Sequence, residues 1–116
     1  MTRLEKLCRR IRRASDDLAR NEYPSSTGPY FTLTNWSYRT NLAERIDLAH
    51  AIFVHGNSEM RGSRCFDNCF EMGDGRAVAT ALARRAKTDA VLHAAIARDF
   101  GGEFPQQWLE AELPPS

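Results

Sequence analysis

Residues 41–56, NLAERIDLAHAIFVHG, carry the start, the period and the end of one helix within sixteen positions. Asn41 and Glu44 have the spacing of a capping box, in which each side chain satisfies the other residue's free backbone N–H. Leu42, Ile46, Ala49 and Phe53 recur at helical period and share one face. Ala51, Ile52 and Val54 extend the apolar character nearly all round, the pattern of a helix covered on several sides. Gly56 is placed to take the left-handed turn that ends many helices. A buried strand over 51–55 competes, because Ile, Phe and Val favour strands, but cap, period and terminator agree on a helix. A segment this apolar requires the rest of the chain to pack around it.

The flanking segments supply candidates for that packing. Thr2 and Glu5 form a second capping-box pattern, and Leu4, Leu7, Ile11 and Leu18, with Cys8 and Ala14 beside them, follow a helical stripe to about residue 21. Pro24, Gly28 and Pro29 mark a loop. Residues 30–38 are rich in aromatic and β-branched types, with Tyr30, Thr32, Thr34, Trp36 and Tyr38 on one side if extended. They read as a short strand, an ordered loop or a helix start near Trp36. A polar loop holding Met60, Arg61 and Arg64 follows the central helix. A short helix over 63–72 then sets Cys65 with Cys69 and Phe66 with Phe70. Asp74 offers an N-cap for a helix to Ala86 with Val78 and Leu82 inward. Thr88 offers one for 89–100, with Val91, Leu92, Ala95 and Ile96 buried and Gly101-Gly102 as the stop. Phe104 and Trp108 bracket Pro105 at the start of a last short helix. The expected fold is mainly α: a single domain of about five helices around the central helix 41–55.

At 116 residues the chain can bury a core without metal or disulfide support. No run of eighteen apolar residues is present, so no membrane span is expected, and the charged N-terminus does not read as a secretory signal. Three cysteines at irregular spacing do not form a disulfide framework, which points to a cytoplasmic protein. The formal net charge is only +1, but its distribution is uneven. Residues 1–20 hold seven Lys or Arg against three acids, whereas residues 99–116 hold four acids and no base. Such asymmetry presents different faces to partners.

Several constellations could carry chemistry. His50 and His55 followed by Cys65 and Cys69 are the ligand types of tetrahedral zinc. Five residues on a helix turn the two imidazoles roughly 140° apart, and a Cys pair four apart beside two Phe residues also describes a core contact. No metal or other cofactor is expected. Arg45 and His50 have the R-x4-H spacing of the HEPN-type ribonucleases, small helical proteins that this six-residue stretch resembles. That resemblance implies His50 as general acid or base and Arg45 as the group stabilising charge on the scissile phosphate. The alternative puts Arg45 on the exposed face, paired with Asp47 or Glu44, and His50 at the edge of the core. Arg9, Arg12 and Arg13 lie off the apolar stripe of the first helix and could meet phosphates, which keeps a small nucleic-acid-binding regulator open. No aromatic side chain is interleaved with them to stack bases, so a protein partner is favoured. Phosphate loop, dinucleotide fingerprint and nucleophile elbow are missing.

Trp36, Tyr38, Arg61 and Arg64 are of the types that anchor protein interfaces. In length, Arg and Ala content and lack of enzymatic motif, the chain resembles the small phage- and mobile-element-encoded inhibitors of bacterial defence, anti-CRISPR proteins above all. That resemblance implies a non-enzymatic protein that blocks a surface of a Cas nuclease or guide complex. Trp36, Tyr38, Arg61 and Arg64 would then be anchors, and Arg9, Arg12 and Arg13 a steering face.

Overall fold

The computed structural model of the chain describes residues 1–20, 41–62, 64–71 and 75–110, without the side chains of 17–20, 64–65 and 109–110. Seven helices occur among them and no strand: α1 (Arg3–Arg20), α2 (Leu42–His55), α3 (Ser58–Arg61), α4 (Arg64–Glu71), α5 (Gly75–Ala86), α6 (Ala90–Asp99) and α7 (Gln106–Glu110). The mainly helical single domain expected from the sequence is therefore the observed one, with one short helix, Ser58–Arg61, that was not anticipated. The 30–38 segment and the Asp74 cap fall outside the described residues.

The central position of α2 follows from its composition. It packs against α1, α4, α5 and α6, and Leu48, Ala49, Ala51 and Ile52 are wholly buried. Ile11 of α1, Val78 and Leu82 of α5, and Leu92 and Ile96 of α6 meet it in one continuous core. Ser15 ties α1 to the end of α2: its hydroxyl donates to the His55 carbonyl at 3.2 Å and accepts from the Asn57 N–H at 3.2 Å. The Asn57 side chain returns a bond to the Ser15 carbonyl at 3.3 Å, so the polar groups at this helix junction are paired.

Helix ends follow the local signals, with exceptions that have physical causes. Both arms of the Thr2–Glu5 capping box are made, and Asn41 accepts from the Glu44 N–H at 2.9 Å. Gly56 does not adopt the left-handed turn: its φ of −72° and ψ of 147° are extended. Glycine is needed there for space, because a Cβ would stand 2.7 Å from the Ile52 carbonyl oxygen. The cap of α6 is Asp89 rather than Thr88, since the Asp89 carboxylate accepts from the Leu92 N–H at 3.0 Å. Its far end closes as anticipated, with Gly101 and Gly102 at φ of 78° and 102° and a Schellman-type bond from the Gly102 N–H to the Ala97 carbonyl.

Three further expectations are corrected. Residues 58–61 are a helical turn rather than loop, because Asn57 caps it by accepting from the Met60 N–H at 2.8 Å, and Met60 is fully buried. Val91 is 64% exposed: it lies in the first turn of α6, where side chains lean back past the helix start. Arg45 is buried rather than exposed, while Leu42 and Ile46 are only half-buried. The buried surface of α2 thus includes a polar stretch at Arg45, Asp47 and His50, where Arg3 of α1 and Arg85 of α5 compensate the Asp47 charge.

Candidate functional site

The first candidate surface is the outer side of α1. At 100° per residue, Lys6, Arg9, Arg10, Arg12 and Arg13 fall within roughly 160° of arc, opposite Leu7, Ile11 and Ala14. The three apolar residues are buried and the five cations exposed, so burial of one stripe fixes the outward direction of the other. Arg9, Arg12 and Arg13 are brought together as the sequence indicated. Arg3, one turn earlier and half exposed, binds Asp47 with its Nε.

That contact belongs to the second site, a buried polar cluster. Asp47 accepts from Arg3 Nε at 2.8 Å and from Arg85 Nη2 at 2.7 Å. Arg85 Nη1 lies 3.1 Å from His50 Nδ1. A guanidinium can only donate, so Nδ1 is the acceptor and the imidazole proton is on Nε2, 3.8 Å from an Asp89 carboxylate oxygen. Burial, and then the Arg85 charge, hold the His50 pKa below its ordinary 6.5, against an opposing pull from Asp89 and Asp47. Arg45 and His50 are 4% and 7% exposed, so this pair is inside the bundle, where His50 acts as a neutral acceptor that links α2 to α5. His55 is partly exposed at the C-terminus of α2, its pKa lowered by burial and the neighbouring Arg12. Cys69 is wholly buried in the core, and the Cys65 side chain lies outside the described part. Among the described residues, no three His, Cys, Asp or Glu side chains converge in a way that could hold a metal.

The third site is a cleft of about 550 Å3 that residue-by-residue reading of the sequence missed. Phe53 comes from α2, Phe66 and Phe70 from α4, Phe100 from the end of α6 and Trp108 from α7. Phe53 meets Phe66 edge-on with centroids 4.8 Å apart, and Trp108 lies 5.8 Å from Phe70 and 5.4 Å from Phe100. These offsets are the preferred arrangement of ring quadrupoles. Phe100 is 45% exposed. Arg61 also lines the cleft, with Nε 2.9 Å from Asp99 and Nη1 donating to the Gly56 carbonyl. The signals present in sequence were the Phe66/Phe70 spacing and the Phe104/Trp108 pair; their convergence with Phe100 depends on the turn at Gly101 and Gly102. Of the other expected anchors, Trp36 and Tyr38 lie outside the described residues, as does the Arg64 side chain.

Comparison of the chain with protein-family models, with curated proteins and with solved structures finds no match to any of the three.

Proposed function

We propose that this chain is a non-enzymatic binding protein that acts by occupying a surface of a partner macromolecule. The observation that carries this reading is the excess of cations on the outer face of α1, five exposed cations against the exposed Glu5 and Asp16, in a molecule whose formal net charge is only +1. Side-by-side guanidinium groups repel one another and contribute nothing to the core, so their concentration on one face suits an external partner of opposite charge. The rigid helix beneath them fixes their spacing before contact, which reduces the ordering cost of binding.

The sign of the face also bears on the target. A basic helix is the wrong charge for an imitation of DNA and the right one for an acidic protein surface or the exposed phosphates of a nucleoprotein complex. The proposed target class is therefore a bacterial nuclease or guide complex of the CRISPR–Cas type, blocked by steric occlusion. Trp36, Tyr38, Arg61 and Arg64 are the proposed anchors, and Arg9, Arg12 and Arg13 supply mainly association rate and salt dependence. No catalytic step and no cofactor enters this proposal.

Plasmid interference in bacterial cells, each strain carrying one defined CRISPR–Cas system, tests it. Expression of the chain is expected to protect a targeted plasmid in at least one system. The triple variant R9E/R12E/R13E, all at exposed positions, is expected to lose that protection while keeping the parent's melting temperature. Absence of protection in every system would remove this target class. Tight binding of the purified chain to free duplex DNA or RNA at physiological salt, lost in the triple variant, would make it a nucleic-acid-binding regulator instead. Cleavage of single-stranded RNA, abolished by both His50→Ala and Arg45→Ala, would replace the binding protein by a ribonuclease.

A further inference from the structure

We infer that the aromatic cleft between α2, α4, α6 and α7 is a binding site for a small organic anion with a planar apolar body and a single carboxylate head. Its volume of about 550 Å3 falls within the span of small-ligand sites, about 300–1,000 Å3. The lining supplies what such a body needs. Phe53 and Phe66 stand at 88° to each other, and Phe70 and Trp108 at 30°, so ring faces and ring edges are both offered to a flat guest. Phe100, 45% exposed, remains partly solvated in a chain that buries its other described Phe side chains wholly or in part. A guest that covered it would remove apolar surface from water.

Charge selects the head group. Arg61 Nε lies 2.9 Å from an Asp99 oxygen, and Arg98, outside the cleft lining, places its Nε 3.7 Å from the same oxygen, so the one acid of the lining is already engaged by two cations. Aromatic clefts also receive quaternary ammonium groups, but the Asp99 carboxylate that would attract one is held by Arg61 and Arg98. Arg61 has two described bonds, from Nε to Asp99 and from Nη1 to the Gly56 carbonyl, and a guanidinium carries five N–H donors. Its side chain is only 17% exposed, so the group is held in place before a ligand arrives. An anion at the cleft mouth meets a fixed donor with N–H groups to spare.

The test is calorimetric titration of the full chain near pH 7 with three probes of one shape: naphthylacetate, its neutral amide naphthylacetamide and the cation naphthylmethylammonium. Naphthylacetate is expected to bind at least about tenfold tighter than the amide, the scale of one hydrogen bond to a charged group. The gap should narrow as salt is raised and close in Arg61→Gln. Phe100→Ala, at an exposed position, should weaken acid and amide alike, which keeps the inference testable even if Arg61→Gln does not fold. R9E/R12E/R13E should leave all three affinities unchanged, since the cleft is independent of the α1 face. Equal affinity for acid and amide, a preference for the cation, or no binding of any probe at millimolar concentration would overturn the assignment.

Discussion

Asp47 is an acid in a helix that buries eight of its fourteen residues, and it is tolerated because two guanidinium groups reach it. A buried carboxylate without partners would instead take up a proton. Arg85 serves two acceptors at once, Asp47 and the unprotonated His50 Nδ1, and this makes the cluster sensitive to pH. Protonation of His50 would place a donor against a donor. The folded His50 and His55 both have pKa values below 6.5, so as pH falls below 6.5 the unfolded chain binds more protons than the folded one. The corresponding stability is fully present above 6.5 and is lost on acidification towards the folded values. Thermal melts between pH 7.5 and about 5, above the range where ordinary carboxylates titrate, should show the melting temperature falling on the acid side. His50→Asn places an amide oxygen near the Nδ1 acceptor and should flatten much of that fall, leaving the share due to His55. An equally steep fall in the variant would assign the pH dependence elsewhere.

α2 organises the fold, and two substitutions examine separate parts of it. Phe53 is 1% exposed and edge-on to Phe66, so Phe53→Asp buries an unpaired charge and should abolish the cooperative melt. Ile46→Asp, at a half-buried position on the same helix, should leave a folded protein of lower melting temperature. At the end of α2, Gly56→Ala should destabilise by about 1–3 kcal/mol in urea titration, because the nearest atom to the added Cβ is the Ile52 carbonyl oxygen, which is backbone and cannot swing aside. A neutral result there would mean that Gly56 is present for reasons other than space. The sequence made α2 legible because Asn41, the apolar period and Gly56 are local signals. Its rotation was not legible. Arg45 reads as exposed, with Asp47 as a partner for it and His50 at the edge of the core, until Arg3 and Arg85, distant in sequence, are known to reach Asp47 and, from Arg85, His50. The same holds for the cleft: Phe66 and Phe70 announce each other by spacing, whereas Phe100 and Trp108 join them through tertiary packing. Met60 was misread because Gly62 and its polar neighbours suggest loop, yet Asn57 caps a turn that drives Met60 into the core.

At the scale of the whole molecule, charge and apolar surface are arranged unevenly. α1 presents its cations on one side, the core encloses a paired acid and a neutral imidazole, and the cleft leaves Phe100 partly in water. The described helices include none long and apolar enough to cross a membrane. The α1 face is proposed to meet a protein or nucleoprotein partner rather than free nucleic acid. Capture from a bacterial lysate on immobilised chain, with and without nuclease treatment, compared by quantitative mass spectrometry with the folded R9E/R12E/R13E variant, tests this. A defined set of proteins, alone or with bound nucleic acid, that is enriched on the parent over the variant and weakens as salt is raised is the predicted result. Nuclease-sensitive capture of nucleic acid with no defined protein set beside it, or capture that is the same on parent and variant, would contradict it.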